Sequence, residues 1–272
     1  MINIFKGILI AISTIVPGVS GGTMMIILGV YDKAIEALSA FISRKIIHKK
    51  LIIQLIIGIV LGLLLFSSAM LWLLESFPYI MSFLFLGIIV FGLIAIIKRI
   101  RWDQFKSHHI LFLIGGIGVG LLMTMGQSSA LFDFSGSIVK RIIMILIAGI
   151  IIAVALILPG ISTSFLLLAL GLYEDTLLAI KTLDLGFIIP LGIGVVVGVL
   201  LTTKILEYCM NEHPTPTYLM ITGFILGSIG EIYPGLPQGI GAKLACFAAF
   251  IFGAFIMVII QVLMKKFPES EE

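Results

Sequence analysis

Charge is what this sequence has least of. Lys, Arg, Asp and Glu make up 11% of its 272 residues, hydrophobic residues 60%, and the mean hydropathy is +1.26. So little polar surface cannot clothe a water-soluble globule of this size, which excludes a soluble domain and leaves an integral membrane protein. The net charge of +3 is small and dispersed, so nothing points to nucleic acid. Cysteine is nearly absent as well. Cys209 and Cys246 stand alone in apolar or helix-end contexts, without the spacing of a metal centre or disulfide framework, and read as small packing hydrophobes. Histidine is confined to His48, His108, His109 and His213, all in loops or at the ends of apolar runs.

What fills the chain instead is a series of apolar runs, at about 51–74, 79–97, 110–125, 187–206, 218–232 and 244–264. Each suffices to cross a hydrocarbon core of about 30 Å at roughly 1.5 Å per residue, the shorter ones with help from flanking interfacial residues. The expectation is an all-α polytopic membrane protein. A shorter run from Gly7 to Val16 behind Lys6 resembles a secretion signal, but it ends in a motif that returns in the second half of the chain. A discarded leader has no reason to match the mature body.

That motif is the sequence's main positive feature. Pro17-Gly18-Val19-Ser20-Gly21-Gly22-Thr23 followed by Leu28-Gly29-Val30-Tyr31-Asp32 recurs as Pro159-Gly160-Ile161-Ser162-Thr163-Ser164-Phe165 followed by Leu170-Gly171-Leu172-Tyr173-Glu174, at a constant offset of 142. Gly58, Gly62, Pro78 and Gly87 then match Gly194, Gly198, Pro214 and Gly223 at an offset of 136. The chain thus divides into a first repeat over 1–126 and a second over 138–267, integrated in one membrane domain, each a broken segment followed by three crossings. Only about a dozen apolar residues precede Pro17, roughly 18 Å of helix, which reaches mid-membrane. The segment from Ile142 to Leu158 is longer and leaves crossing or re-entry open.

The basic residues arbitrate. If both broken segments turn back, thirteen Lys and Arg share one side against Lys140, Arg141, Lys181 and Lys243; if both cross, the division is 11 to 6. The positive-inside tendency favours re-entrant hairpins, inverted repeats and two cytoplasmic termini. Such a pair brings two half-helix amino termini tip to tip near the midplane, one starting at Ser20 and one at Ser162. Ser is a preferred cap, Gly21 and Gly22 admit a ligand to the backbone, and the free amides with the helix dipole attract an anion. Ser20 and Thr23, three apart, turn their hydroxyls to the same side. The expected guest is a phosphate or carboxylate. A single Pro-Gly-Ser interruption would read as a helix kink at a close contact, but two in corresponding positions point to a transporter site.

An anion in oil needs donors or a cation. Arg141, before the second broken segment, and Lys204, late in its crossing, are the candidates, against the plainer reading of end anchors and snorkelling side chains. Asp32 and Glu174 fall about 18 Å of helix beyond their serines, near opposite interfaces, where they are possible proton- or sodium-linked gates or hydrated helix-end charges. Glu75 and Glu231 have the same open status. No cofactor or metal is expected.

The double signature PGVSGGT with LGVYD and PGISTSF with LGLYE resembles the bacterial polyprenyl-phosphate transporter family, long known only as a membrane domain of unknown function. The resemblance covers essentially the whole chain. It implies a flippase that returns undecaprenyl phosphate, the lipid carrier of cell-wall precursors, across the cytoplasmic membrane for reuse. On that match Pro17, Gly18, Ser20, Gly21, Gly22 and Thr23, with Pro159, Gly160, Ser162, Thr163 and Ser164, form the substrate loops. Thr163 departs from the family's usual glycine. Membrane phosphatases acting on polyprenyl pyrophosphate share the inverted repeats and a Pro-Gly-x-Ser loop, but theirs carries arginine, and neither loop here contains Arg or His to serve ester hydrolysis. An enzyme is therefore not expected. A small-anion transporter or channel fits the helix-tip argument as well as a lipid carrier does.

Overall fold

The computed structural model describes residues 2–15, 19–125, 137–161, 163, 166–167 and 170–266. Among these no strand occurs, and the helices are α1 (Ile2–Ile15), α2 (Gly21–Ile27), α3 (Tyr31–Ile42), α4 (Lys49–Ser76), α5 (Pro78–Ile97), α6 (Ile110–Met125), α7 (Ile138–Ile157), α8 (Tyr173–Thr182), α9 (Leu185–Glu212), α10 (Pro214–Ile232) and α11 (Ile240–Lys266). All six expected spans are helical. Five helices are long and apolar enough to cross a bilayer: α4, α5, α7, α9 and residues Ile240–Val262 of α11.

The two expected spans outside that set differ for separate reasons. α6 has 16 residues. α10 is long enough but carries Thr215, Thr217, Thr222 and Ser228, all buried. A helix that faces protein on most sides does not need the apolar exterior that lipid demands, and each of these hydroxyls donates to or lies within reach of a backbone carbonyl, as with Thr222 Oγ1 to Tyr218 O at 2.7 Å. α7, ambiguous in the sequence, is a 20-residue helix, about 30 Å long.

Repetition in sequence becomes repetition in backbone. Phe77 and His213, 136 apart, adopt the same conformation (φ −134°, ψ 52° and φ −130°, ψ 57°) and each precedes a proline that opens the next helix. Pro fits there because its missing N–H is one that a first helical turn leaves unused.

Four helix pairs build the bundle: α1 on α4, α7 on α9, α6 on α10 and α5 on α11. Glycine permits each. A Cβ on Gly7 would lie 2.5 Å from Leu55 O, and one on Gly149 would lie 2.5 Å from Leu191 O, so the backbones touch where Gly7 meets Gly58 and where Gly149 meets Gly194. Gly116 likewise meets Gly223, and Gly120 meets Gly227. Small residues at such crossings allow the close van der Waals packing that holds helices together in lipid. Contacts advance in the same sense along both partners, from Gly7–Gly58 to Ala11–Gly62, from Gly149–Gly194 to Ala153–Gly198 and from Gly116–Gly223 to Gly120–Gly227, so these pairs are parallel. The α5–α11 pair follows suit, with Gly87 against Phe250 and Gln261 Nε2 donating to Phe91 O further along. The main core gathers α2, the start of α3, α5 and α10.

Candidate functional site

The two motif loops meet. The Cβ position of Gly22, in the first turn of α2, lies 3.4 Å from the Cα of Pro159, which follows α7. Gly21 faces the other way, against Thr14 and Ile10 of α1, so α2 folds back along the helix that precedes it. Ser20 stands at the N-cap of α2 with extended backbone (φ −79°, ψ 132°), as the sequence predicts, but its hydroxyl makes no capping bond. The first helical bond runs from Met24 N to Ser20 O at 3.2 Å, which leaves the amides of Gly21, Gly22 and Thr23 ahead of the helical ladder. Thr23 is buried.

Gly160 explains the Pro-Gly step of the second loop. Its φ is +85°, a region L side chains avoid, and its Cβ position is 2.7 Å from Ile225 N, so the loop lies directly on the α10 backbone. Thr163 is helical and half-buried. Pro17, Gly18, Ser162 and Ser164 lie outside the described residues.

The second motif element has a backbone reason too. Gly29 (φ 69°), which follows α2, and Gly171 (φ 73°), at the same place in the second motif, are both left-handed. In the first copy Gly29 N bonds Ile26 O and Val30 N bonds Met25 O, a Schellman closure; in the second, Leu172 N bonds Leu167 O in the same register. The chain then turns straight into α3 at Tyr31 and α8 at Tyr173.

Tyr31 crosses from one repeat to the other. Its side chain is 2% exposed, and its hydroxyl donates to Ile157 O at 2.6 Å, the last helical carbonyl of α7 before the Pro159 break. Asp32, one residue on, ion-pairs with Arg99 at the end of α5 and accepts from Tyr218 Oη at 3.1 Å, while the Arg99 guanidinium lies 5.9 Å from the Tyr218 ring centre. The Asp32 and Arg99 side chains are 41% and 26% exposed, so the pair sits at a wet boundary. Glu174, its counterpart in the second repeat, is exposed in the first turn of α8. The sequence did not reveal Arg99 and Tyr218 as partners of Asp32: Arg99 belongs to a basic cluster and Tyr218 to an apolar run, 67 and 186 residues away.

Arg141, in the first turn of α7, and Lys204, on α9, are both exposed on helix surfaces. Among the described residues no group of three or more His, Cys, Asp or Glu converges as a metal site.

The undecaprenyl phosphate translocase-like family matches residues 10–245. A polyprenyl-phosphate transporter of Staphylococcus aureus is 32% identical over 267 residues, 94% of each chain. One of Vibrio cholerae is 30% identical over 250 residues, 84% of this chain and 76% of that protein. No solved structure matches. The repeated loops, their joining across the two halves and this match over most of the sequence make the chain a member of the undecaprenyl phosphate translocase-like family.

Proposed function

We propose that this protein is a flippase that moves undecaprenyl phosphate across the cytoplasmic membrane, returning the carrier lipid for cell-wall synthesis. The single observation that carries the reading is the contact of the two motif loops at Gly22 and Pro159. Around it stand open amides at the start of α2 and a backbone stripped of side-chain bulk, the arrangement that accepts an anion in a low-dielectric setting. The relatives' names supply the class of headgroup, a polyprenyl phosphate.

The same set of contacts supports two inverted repeats with re-entrant hairpins. If the chain also reverses between α10 and α11, as it does at Phe77 and His213 on this reading, the parallel pairs run α1 and α4 one way and α7 and α9 the other. The return of α2 along α1, and Ile27 near the end of α5 at Gly92, favour a hairpin that leaves by the side it entered. The basic side, bearing both termini, is cytoplasmic on this reading. Alternate exposure of one central site then moves the headgroup, and Asp32 and Glu174 are the carboxylates at which a proton or sodium ion would couple.

The test is purified protein in liposomes carrying undecaprenyl phosphate on one leaflet. Transfer to the other leaflet faster than in protein-free liposomes is the expected result; equal rates end the transport claim. Equal movement of inorganic phosphate would favour the small-anion alternative, and release of phosphate from the pyrophosphate lipid would favour a phosphatase.

A further inference from the structure

The loop between α10 and α11 closes a cleft of about 300 Å³ against the first turns of α11 and the near end of α5. Phe83, Leu236, Pro237, Cys246, Phe247 and Phe250 line it, with a single charge, Lys243. Lys243, Cys246, Phe247 and Phe250 are spaced i, i+3, i+4 and i+7, one stripe down α11. The ammonium stands in the first turn and the rings lie deeper, so in a bilayer the cation is level with headgroups and the aromatic wall with hydrocarbon. Phe83 meets the Tyr233 ring edge-on at 5.9 Å, and Pro234 and Pro237 stiffen the loop, so the cleft is preformed. The described ion pairs do not include Lys243.

A lone cation at the mouth of an aromatic slot is complementary to an anion on a single hydrophobic chain. The lining offers one charge and about 300 Å³ of otherwise apolar, largely aromatic space, which suits the phosphate and first isoprene units of such a lipid. We propose that this cleft is a peripheral docking site for an isoprenoid phosphate in the leaflet opposite the basic face, its phosphate on Lys243 and its first isoprene units against Phe247, Phe250 and Phe83. The proposal rests on the carrier reading for its choice of occupant. It makes the cleft the station at which the lipid is gathered before it reaches the loops.

The experiment uses the full chain in liposomes with a photoactivatable farnesyl phosphate and maps the labelled peptide by mass spectrometry. Label between residues 243 and 250 is expected, displaced by unlabelled farnesyl phosphate but not by farnesol or phosphatidylglycerol. Lys243→Gln should reduce it about tenfold, the loss of one charge-assisted contact, and Lys243→Arg should retain it, with both variants monodisperse and equally heat-stable. In transport, Lys243→Gln should raise the lipid concentration giving half-maximal rate and leave the maximal rate unchanged. No label in the cleft, or equal displacement by phosphatidylglycerol, overturns the docking site. A wild-type protein that transports lipid with its cleft unlabelled defeats this proposal alone; one that labels the cleft but transports nothing defeats the carrier reading alone.

Discussion

Gly160, Gly22 and Gly21 share a motif type but answer to different constraints. Gly160 combines a left-handed φ with backbone contact at 2.7 Å, so Gly160→Ala should lower the stability of the detergent-solubilised protein by about 2 kcal/mol or more, read as a fall in thermal midpoint. Gly22 has 3.4 Å to its nearest neighbour, room for a methyl group. Gly22→Ala should therefore fold and transport, whereas Gly22→Leu should wedge the loops apart and stop transport without loss of assembly. At Gly21 a methyl group meets Thr14 Cγ2 at 2.7 Å, so its replacement disturbs the α1–α2 hairpin itself. Tyr31→Phe strands a buried carbonyl and should cost about 1–3 kcal/mol in the same assay. The sequence marks all of these positions as special, yet it cannot distinguish them. The difference lies in which remote backbone each one touches.

Among the elements, the spans were legible because lipid imposes one simple rule, a long apolar run, and α4, α5, α9 and α11 obey it. α10 is only partly legible: it is shielded by neighbours, so its threonines reflect the protein interior. α3 and α8 were not read as helices at all. α3 nevertheless spaces Tyr31, Ile35, Leu38 and Ile42 along one face, a signal hidden between its charges. The Asp32–Arg99–Tyr218 cluster ties α3 to α5 and α10. A double-mutant cycle of Asp32→Ala with Arg99→Ala should give a coupling of about 0.5–1 kcal/mol, modest because both side chains keep contact with water. No measurable coupling would mean that the pair does not position α3.

For the whole molecule, the repeat offsets of 142 and 136 relate Gly7–Gly58 to Gly149–Gly194, one helix contact in each half, although the sequence alone paired no helices. Orientation is the global property that follows. In a background without Cys209 and Cys246, Gln238→Cys should react with a membrane-impermeant maleimide from outside intact cells. Ser107→Cys should react only after permeabilisation. Labelling of both from one side contradicts opposed faces for the α5–α6 and α10–α11 loops.

The two halves are alike in outline but unequal in their fastenings. Asp32 is bolted to Arg99 and Tyr218, while Glu174 faces outward in the corresponding turn. A machine built from mirror parts would sit with equal ease in either of its two poses; one with a lock on a single door has a preferred posture at rest. On the carrier reading proposed above, that posture would hold the basic face closed at rest and leave the opposite face to receive the lipid.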